Sequence, residues 1–116
     1  MDTFWGMAAA VDEPTRVRVA PLELWPEERQ AFVNDQRIVL TRREEQLLEV
    51  LVSRPGHVLT REQLHSAVWR CAPHPGDRSV HVYVAKLRHK LWLAAPGWRF
   101  LHTHHGLGYR FEPEEV

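Results

Sequence analysis

The spacing of apolar residues changes near residue 40 and divides the chain. Before that point they come in short pieces. Val17 and Val19 alternate with Arg16 and Arg18, and Leu22, Leu24 and Trp25 follow Pro21. Ala31, Phe32 and Val33 run into the turn pair Asn34-Asp35, ahead of Ile38, Val39 and Leu40. Period-two pieces broken by turn residues predict short antiparallel strands over residues 17–40. From Thr41 the spacing is helical. Thr41-x-x-Glu44 is a capping box, Leu47, Leu48 and Leu51 share one face, and Pro55-Gly56 ends the helix. Thr60-x-x-Gln63 repeats the box and opens a second helix with Leu64, Ala67 and Val68 inward. Residues 70–77, with Pro73, Pro75 and Gly76, read as a loop, and Asp77 as the cap of a third helix reaching about Trp92. Phe100–Thr103 and Tyr109–Phe111 read as two strands around a glycine-bearing tip, His104 to Gly108. Residues 1–14 show no period and are expected to be a disordered tail ahead of one domain over 15–116.

The order of elements predicts an α+β fold: an N-terminal antiparallel sheet (17–40), a three-helix core (41–92) and a C-terminal β-hairpin (98–112). The middle helices and their connection resemble a helix-turn-helix, although the connection exceeds the usual three or four residues. The hairpin would be the wing of a winged helix-turn-helix.

The third helix is the most informative. At about 100° per residue, Val80, Val84, Leu87 and Leu91 fall in one narrow stripe, the core face. The opposite face carries Arg78, Val82, Ala85, Lys86 and His89, with Ser79 at the helix start. A solvated face would favour long charged side chains throughout. A face that enters a major groove needs a few donors and small apolar groups that approach thymine methyls. Arg78, Lys86 and His89 supply donors, and Val82 and Ala85 the close apolar contact. Pattern alone leaves a solvated amphipathic helix equally open. Thr60 and Arg61, at the second helix's start, can hold a phosphate, and Arg88 and Lys90 are further phosphate candidates.

Charge first argues against a nucleic-acid partner, because 15 basic and 15 acidic residues cancel. Its distribution argues the other way. Residues 1–77 carry a net −3 and residues 78–116 a net +3, and no acid occurs between Arg78 and Phe111. Five of the eight histidines, His81, His89, His102, His104 and His105, lie in that stretch. It is a candidate polyanion-facing surface, the bland alternative being a chance cluster. No apolar run is long enough to span a bilayer, no signal peptide is evident, and Cys71 has no internal partner. A cytoplasmic protein is expected, with no membrane association and no cofactor.

The motifs resemble the OmpR/PhoB-type winged-helix output domain of bacterial response regulators. The resemblance rests on Leu40-Thr41-x-x-Glu44-x-x-Leu47-Leu48, on Pro55-Gly56-x-Val58-Leu59-Thr60-Arg61-Glu62-x-Leu64, and on Val68-Trp69. It continues through Arg78 to Leu91 and Thr103 to Phe111, and covers about residues 17–112 in order. It implies a four-stranded N-terminal sheet and a third helix that reads the major groove of double-stranded DNA to regulate transcription. It implies wing contacts from Thr103, His104, His105 and Tyr109 to the minor groove or phosphates. It implies that the loop Arg70, Cys71, Ala72, Pro73, His74, Pro75, Gly76 meets RNA polymerase, and that copies bind direct repeats as head-to-tail homodimers. Two positions depart from the family's pattern. His81 stands where an aspartate is usual, and His105 where the wing commonly carries an arginine. A histidine attracts phosphate mainly when protonated, so the implied contact strengthens below neutral pH. A chain of this length has no room for a receiver domain, so it reads as a stand-alone regulator or an excised domain.

Two rival readings remain at this stage. Cys71, His74, His102, His104 and His105 offer ligands for a metal-responsive regulator, though their spacing matches no standard zinc signature. Five tryptophans, Trp5, Trp25, Trp69, Trp92 and Trp98, permit a protein-interaction winged helix that never touches DNA. For Trp69 core packing is the favoured reading. No enzyme is expected: Cys71 lies in a Pro-rich loop with no third orienting group, and Glu44 and Glu45 suit a helix start.

Overall fold

A computed structural model describes residues 16–116. The expected tail at residues 1–14, with Trp5, lies outside the described residues.

The first sheet is β1 (Val17–Val19), β2 (Leu22–Trp25), β3 (Gln30–Val33) and β4 (Gln36–Ile38), antiparallel in that order. A 3₁₀ turn, Pro26–Glu28, joins β2 to β3. Registers Val17↔Leu24, Leu24↔Ala31 and Ala31↔Ile38 line four apolar residues across one face. Strand side chains alternate faces, so this row can bury together while Arg18, Glu23 and Arg37 take the other face.

Three helices follow: α1 (Arg42–Val52), α2 (Arg61–Trp69) and α3 (Ser79–Ala94). Both capping boxes form. Thr41 Oγ1 accepts the Glu44 amide while Glu44 Oε1 accepts the Thr41 amide, and Thr60 and Gln63 repeat the exchange. The second sheet holds β5 (Val58–Thr60), β6 (Trp98–His104) and β7 (Gly108–Glu115), in the order β5-β7-β6. The wing is thus the outer part of a three-stranded sheet and not an isolated hairpin. β5 joins it because Gly108 lets the two backbones close up: a Cβ there would fall on the Leu59 carbonyl, with Thr60 Cα at 2.8 Å.

The core collects from every layer. Leu22, Leu24 and Val33 of the first sheet meet Leu47, Leu48 and Leu51 of α1, the α3 stripe Val80, Val84, Leu87 and Leu91, and Phe100, Leu101 and Phe111 of the second sheet. Each fully buried leucine or valine contributes about 1.5–3 kcal/mol. Charged groups tie the layers at the edges. Glu44 is buried and accepts from Lys90 Nζ of α3 at 2.7 Å. Burial alone would raise the Glu44 carboxyl, but the bonds from Lys90 and Thr41 outweigh it and hold the group below its ordinary value. Arg29, at the end of the 3₁₀ turn, and Arg42 pair with Glu45 at 3.6 and 3.5 Å. Arg43 Nη1 donates to the Val68 carbonyl at the end of α2, at 2.9 Å.

Two local expectations are corrected. Ala67 is exposed, and the buried positions of α2 are Leu64, His65 and Val68. A polar side chain fills an inward site that an apolar pattern does not mark. Asp77 serves α3 from one residue outside the cap: its Oδ1 accepts the Ser79 amide at 2.8 Å, while the N-cap Arg78 offers no side-chain bond.

Candidate nucleic-acid interface

α3 buries one stripe and leaves the opposite face open. Arg78, Val82, Ala85, Lys86 and His89 are exposed together on it. With Val82 41% exposed and Ala85 beside it, a small apolar strip lies between cations on a helix surface. Lys86 Nζ lies 4.9 Å from the Tyr83 ring centroid, which steadies the ammonium without consuming it. Ser79 is half-buried at the helix start and committed to Asp77.

The wing is fixed to this helix. Arg88 Nη2 donates to Thr103 Oγ1 at 2.8 Å and to the Leu101 carbonyl at 3.3 Å, both on β6. Tyr109 Oη lies 3.4 Å from His81 Nδ1, joining β7 to the first turn of α3. At the tip, Gly106 takes φ +79°, and the Leu107 amide donates to the His104 carbonyl at 2.9 Å. A side chain with a Cβ rarely adopts that conformation. His105 is thereby presented to solvent. His104 is not: its Nε2 accepts from Arg110 Nε at 3.1 Å, and Arg110 is also paired with Glu112. Between α3 and the wing runs a cleft of ≈ 430 Å³, lined by Arg61, Glu62, His81, Thr103, His105 and Tyr109 among others.

The expected phosphate group does not stay together. Thr60 and Arg61 sit at the start of α2, beside the cleft. Arg61 Nη1 donates to the Asp77 carbonyl at 2.9 Å, so this guanidinium also supports the α2–α3 loop. Arg88 is bound to the wing. Lys90 is withdrawn from the group: it projects from the flank of α3 toward α1, and its ammonium neutralises buried Glu44. His104 also lines the cleft, with its Nε2 engaged by Arg110.

The loop from Arg70 to Gly76 projects between α2 and α3. Arg70 ends α2 with φ +64°, and its amide donates to the Ser66 carbonyl. Cys71, Ala72, His74, Pro75 and Gly76 are exposed, and Pro73 is partly so. Sequence reading missed what anchors the loop. His65, buried on α2, places Nδ1 2.6 Å from the Cys71 carbonyl and Nε2 3.1 Å from Asp77 Oδ2. Ser79, through side chain and amide, holds the Asp77 carboxyl down at about 2, with His65 and His74 adding. Trp69 is partly buried, stacked on His65 at 5.0 Å and edge-on to Tyr83 at 5.7 Å, in keeping with a packing role. The five candidate metal ligands do not meet. Cys71 and His74 lie in the loop, and His102, His104 and His105 in the wing, where His102 Nε2 bonds the Glu112 carbonyl. Among the described residues no group of three is placed to hold a metal ion.

Residues 35–111 match the family described as "Transcriptional regulatory protein, C terminal". The chain belongs to that family. Within it, the chain is 37% identical over 93 residues to the transcriptional regulatory protein CreB of Escherichia coli, covering 80% of this chain and 41% of CreB. It is 38% identical over 98 residues to the response regulator MprA of Mycobacterium tuberculosis, covering 84% of this chain and 42% of MprA. The chain thus spans about two fifths of the curated relatives it matches. Among solved structures, the DNA-binding domain of CpxR from E. coli superposes with a TM-score of 0.75 at 30% identity, over 84% of this chain and 95% of that one. The DNA-binding domain of Klebsiella pneumoniae RstA, solved with the RstA box, gives 0.76 at 25% identity, over 84% and 96%. The fold is the OmpR/PhoB-type winged helix that the motifs resemble. Among the described residues no helix is long and apolar enough to cross a membrane.

Proposed function

We propose that this chain is a sequence-specific double-stranded DNA binder that regulates transcription. One observation carries the reading. α3 exposes cations around a small apolar strip, on the side opposite its core stripe, with a wing fixed alongside. A helix of that profile fits the major groove, and a hairpin beside it reaches the adjacent backbone or minor groove. The DNA complex of the RstA domain supports the same use here.

In this reading Lys86, His89 and Arg78 donate to base edges or phosphates, and Val82 and Ala85 contact thymine methyls. Thr60, the first amides of α2 and Arg61 hold a phosphate, the helix dipole favouring the anion. His105 and Thr103 make the wing contact, and Tyr109 and Arg88 position the wing. Ser79 acts through the helix start. The loop 70–76 meets RNA polymerase, and two copies bind head to tail on direct repeats. No chemistry and no cofactor is assigned. The test is electrophoretic or anisotropy binding to duplexes at two salt concentrations. Retention that falls with salt and depends on sequence supports the reading, and absence of both overturns it.

A further inference from the structure

The α2–α3 loop is closed on itself by a buried histidine. His65 is 4% exposed and belongs to α2, yet its two ring nitrogens reach the two ends of the loop. Nδ1 lies 2.6 Å from the carbonyl oxygen of Cys71, and Nε2 lies 3.1 Å from Asp77 Oδ2. A backbone carbonyl only accepts. An ionised carboxylate only accepts as well, and Ser79 keeps Asp77 ionised across the neutral range. A neutral imidazole has one N–H and one lone pair. Either neutral tautomer of this 4% exposed ring therefore points a lone pair at an oxygen. Each contact needs an N–H on its nitrogen or a metal ion between the two atoms. With no trio of ligands placed for a metal among the described residues, both nitrogens carry a proton.

We infer that His65 is held as a doubly protonated imidazolium and that this buried cation latches the α2–α3 loop between Cys71 and Asp77.

The neighbourhood fits a positive ring. Trp69 stacks on it at 5.0 Å with planes 15° apart, offering an aromatic face to a cation. From the loop, His74 Nε2 also approaches Asp77 Oδ2, at 3.5 Å, but is exposed and replaceable by water. From α2 itself, Arg61 donates to the Asp77 main chain and leaves the carboxylate to His65. From α3, Ser79 takes the other carboxylate oxygen. From α1, Arg43 lies over Trp69, 5.0 Å from its ring centroid. The Nη1 of that arginine is bound to the Val68 carbonyl. The latched form is the protonated form. That the latch shapes a polymerase-facing surface rests on the functional reading above; the latch itself does not.

Ring ¹⁵N NMR of the full chain in the absence of DNA and polymerase tests it. At pH 7 an unperturbed histidine, with its ordinary value near about 6.5, is mostly neutral. His65 is expected to show both nitrogens protonated there, with no response to a chelator. In Asp77→Asn, which keeps an oxygen for the Ser79 amide, one nitrogen is expected to lose its proton. The amides of Cys71, Ala72, His74, Gly76 and Asp77 should then exchange about tenfold faster, as a loop loses its anchor. A neutral His65 in the wild type at pH 7 overturns the inference. So does a protonation pattern unchanged by Asp77→Asn, or a ring signal that shifts when a chelator removes bound metal.

Discussion

Arg88 of α3 donates to Thr103 Oγ1 of β6 at 2.8 Å, so the helix and the wing are held as one surface. A cation placed for a phosphate is used instead to set the angle between two candidate reading elements. Arg88→Ala removes both bonds to β6. Charge-assisted hydrogen bonds contribute about 1.5–3 kcal/mol, less where partly solvated as here, so the expected stability loss is about 1 kcal/mol. Amide exchange in the wing should rise, and DNA affinity should fall on all sequences alike. Unchanged wing exchange contradicts the clamp.

Lys90 tests the opposite outcome. Lys90→Ala leaves the Glu44 carboxylate buried without its partner, which costs about 3 kcal/mol in denaturant unfolding. DNA affinity and its salt slope in the folded variant should be unchanged. A uniform loss of affinity with a shallower salt slope would return Lys90 to the DNA surface.

The acid limb of stability follows from two carboxyls. Asp77 falls from an ordinary 3.8 to about 2 on folding, and Glu44 falls below its ordinary 4.5. A depressed carboxyl stabilises the fold above its unfolded value and loses that contribution as pH falls through the folded one. Stability should therefore decline from about pH 4.5 downward, with the Asp77 share lost last, near about pH 2. Asp77→Asn should flatten the lower part of that decline. An identical acid profile in wild type and variant refutes the assignment.

Gly108→Ala probes the β5–β7 contact. Its Cβ meets backbone and not a movable side chain, so the sheet must part. A cost of about 3 kcal/mol is expected, at the upper end of overpacking penalties. A drop under about 0.5 kcal/mol in urea unfolding would show that the strands separate freely.

His105 is the exposed residue at the wing tip, His104 being held by Arg110. His105→Arg should tighten DNA binding at neutral pH and steepen the salt dependence by about one phosphate contact. His104→Arg should not. Equal effects at both positions would contradict the geometry of the tip.

Local signals were legible in the sequence. The boxes at Thr41/Glu44 and Thr60/Gln63 depend on residues three apart, and the α3 stripe on helical period, so each could be read without tertiary knowledge. What escaped reading depends on distant partners. β5 is three residues long and becomes a strand only by pairing with β7, some fifty residues on. Lys90 finds its acid 46 residues earlier in the chain. His65 is invisible to an apolar pattern because a polar ring buries only where acceptors meet it. The same holds at the candidate interface: the open face of α3 follows from period alone, whereas Arg88, Lys90 and His104 were read by charge and are committed by contacts within the fold.

The most direct test of the whole account is selection of bound duplexes from a random pool, with wild type and a Lys86→Ala/His89→Ala variant side by side. The account predicts an enriched motif for the wild type, arranged as two same-sense repeats. It predicts that the variant loses the enrichment, each lost base contact costing about 1–3 kcal/mol, while keeping salt-dependent binding. No enrichment with the wild type, or the same motif recovered by both proteins, would contradict the claim that the exposed face of α3 reads DNA.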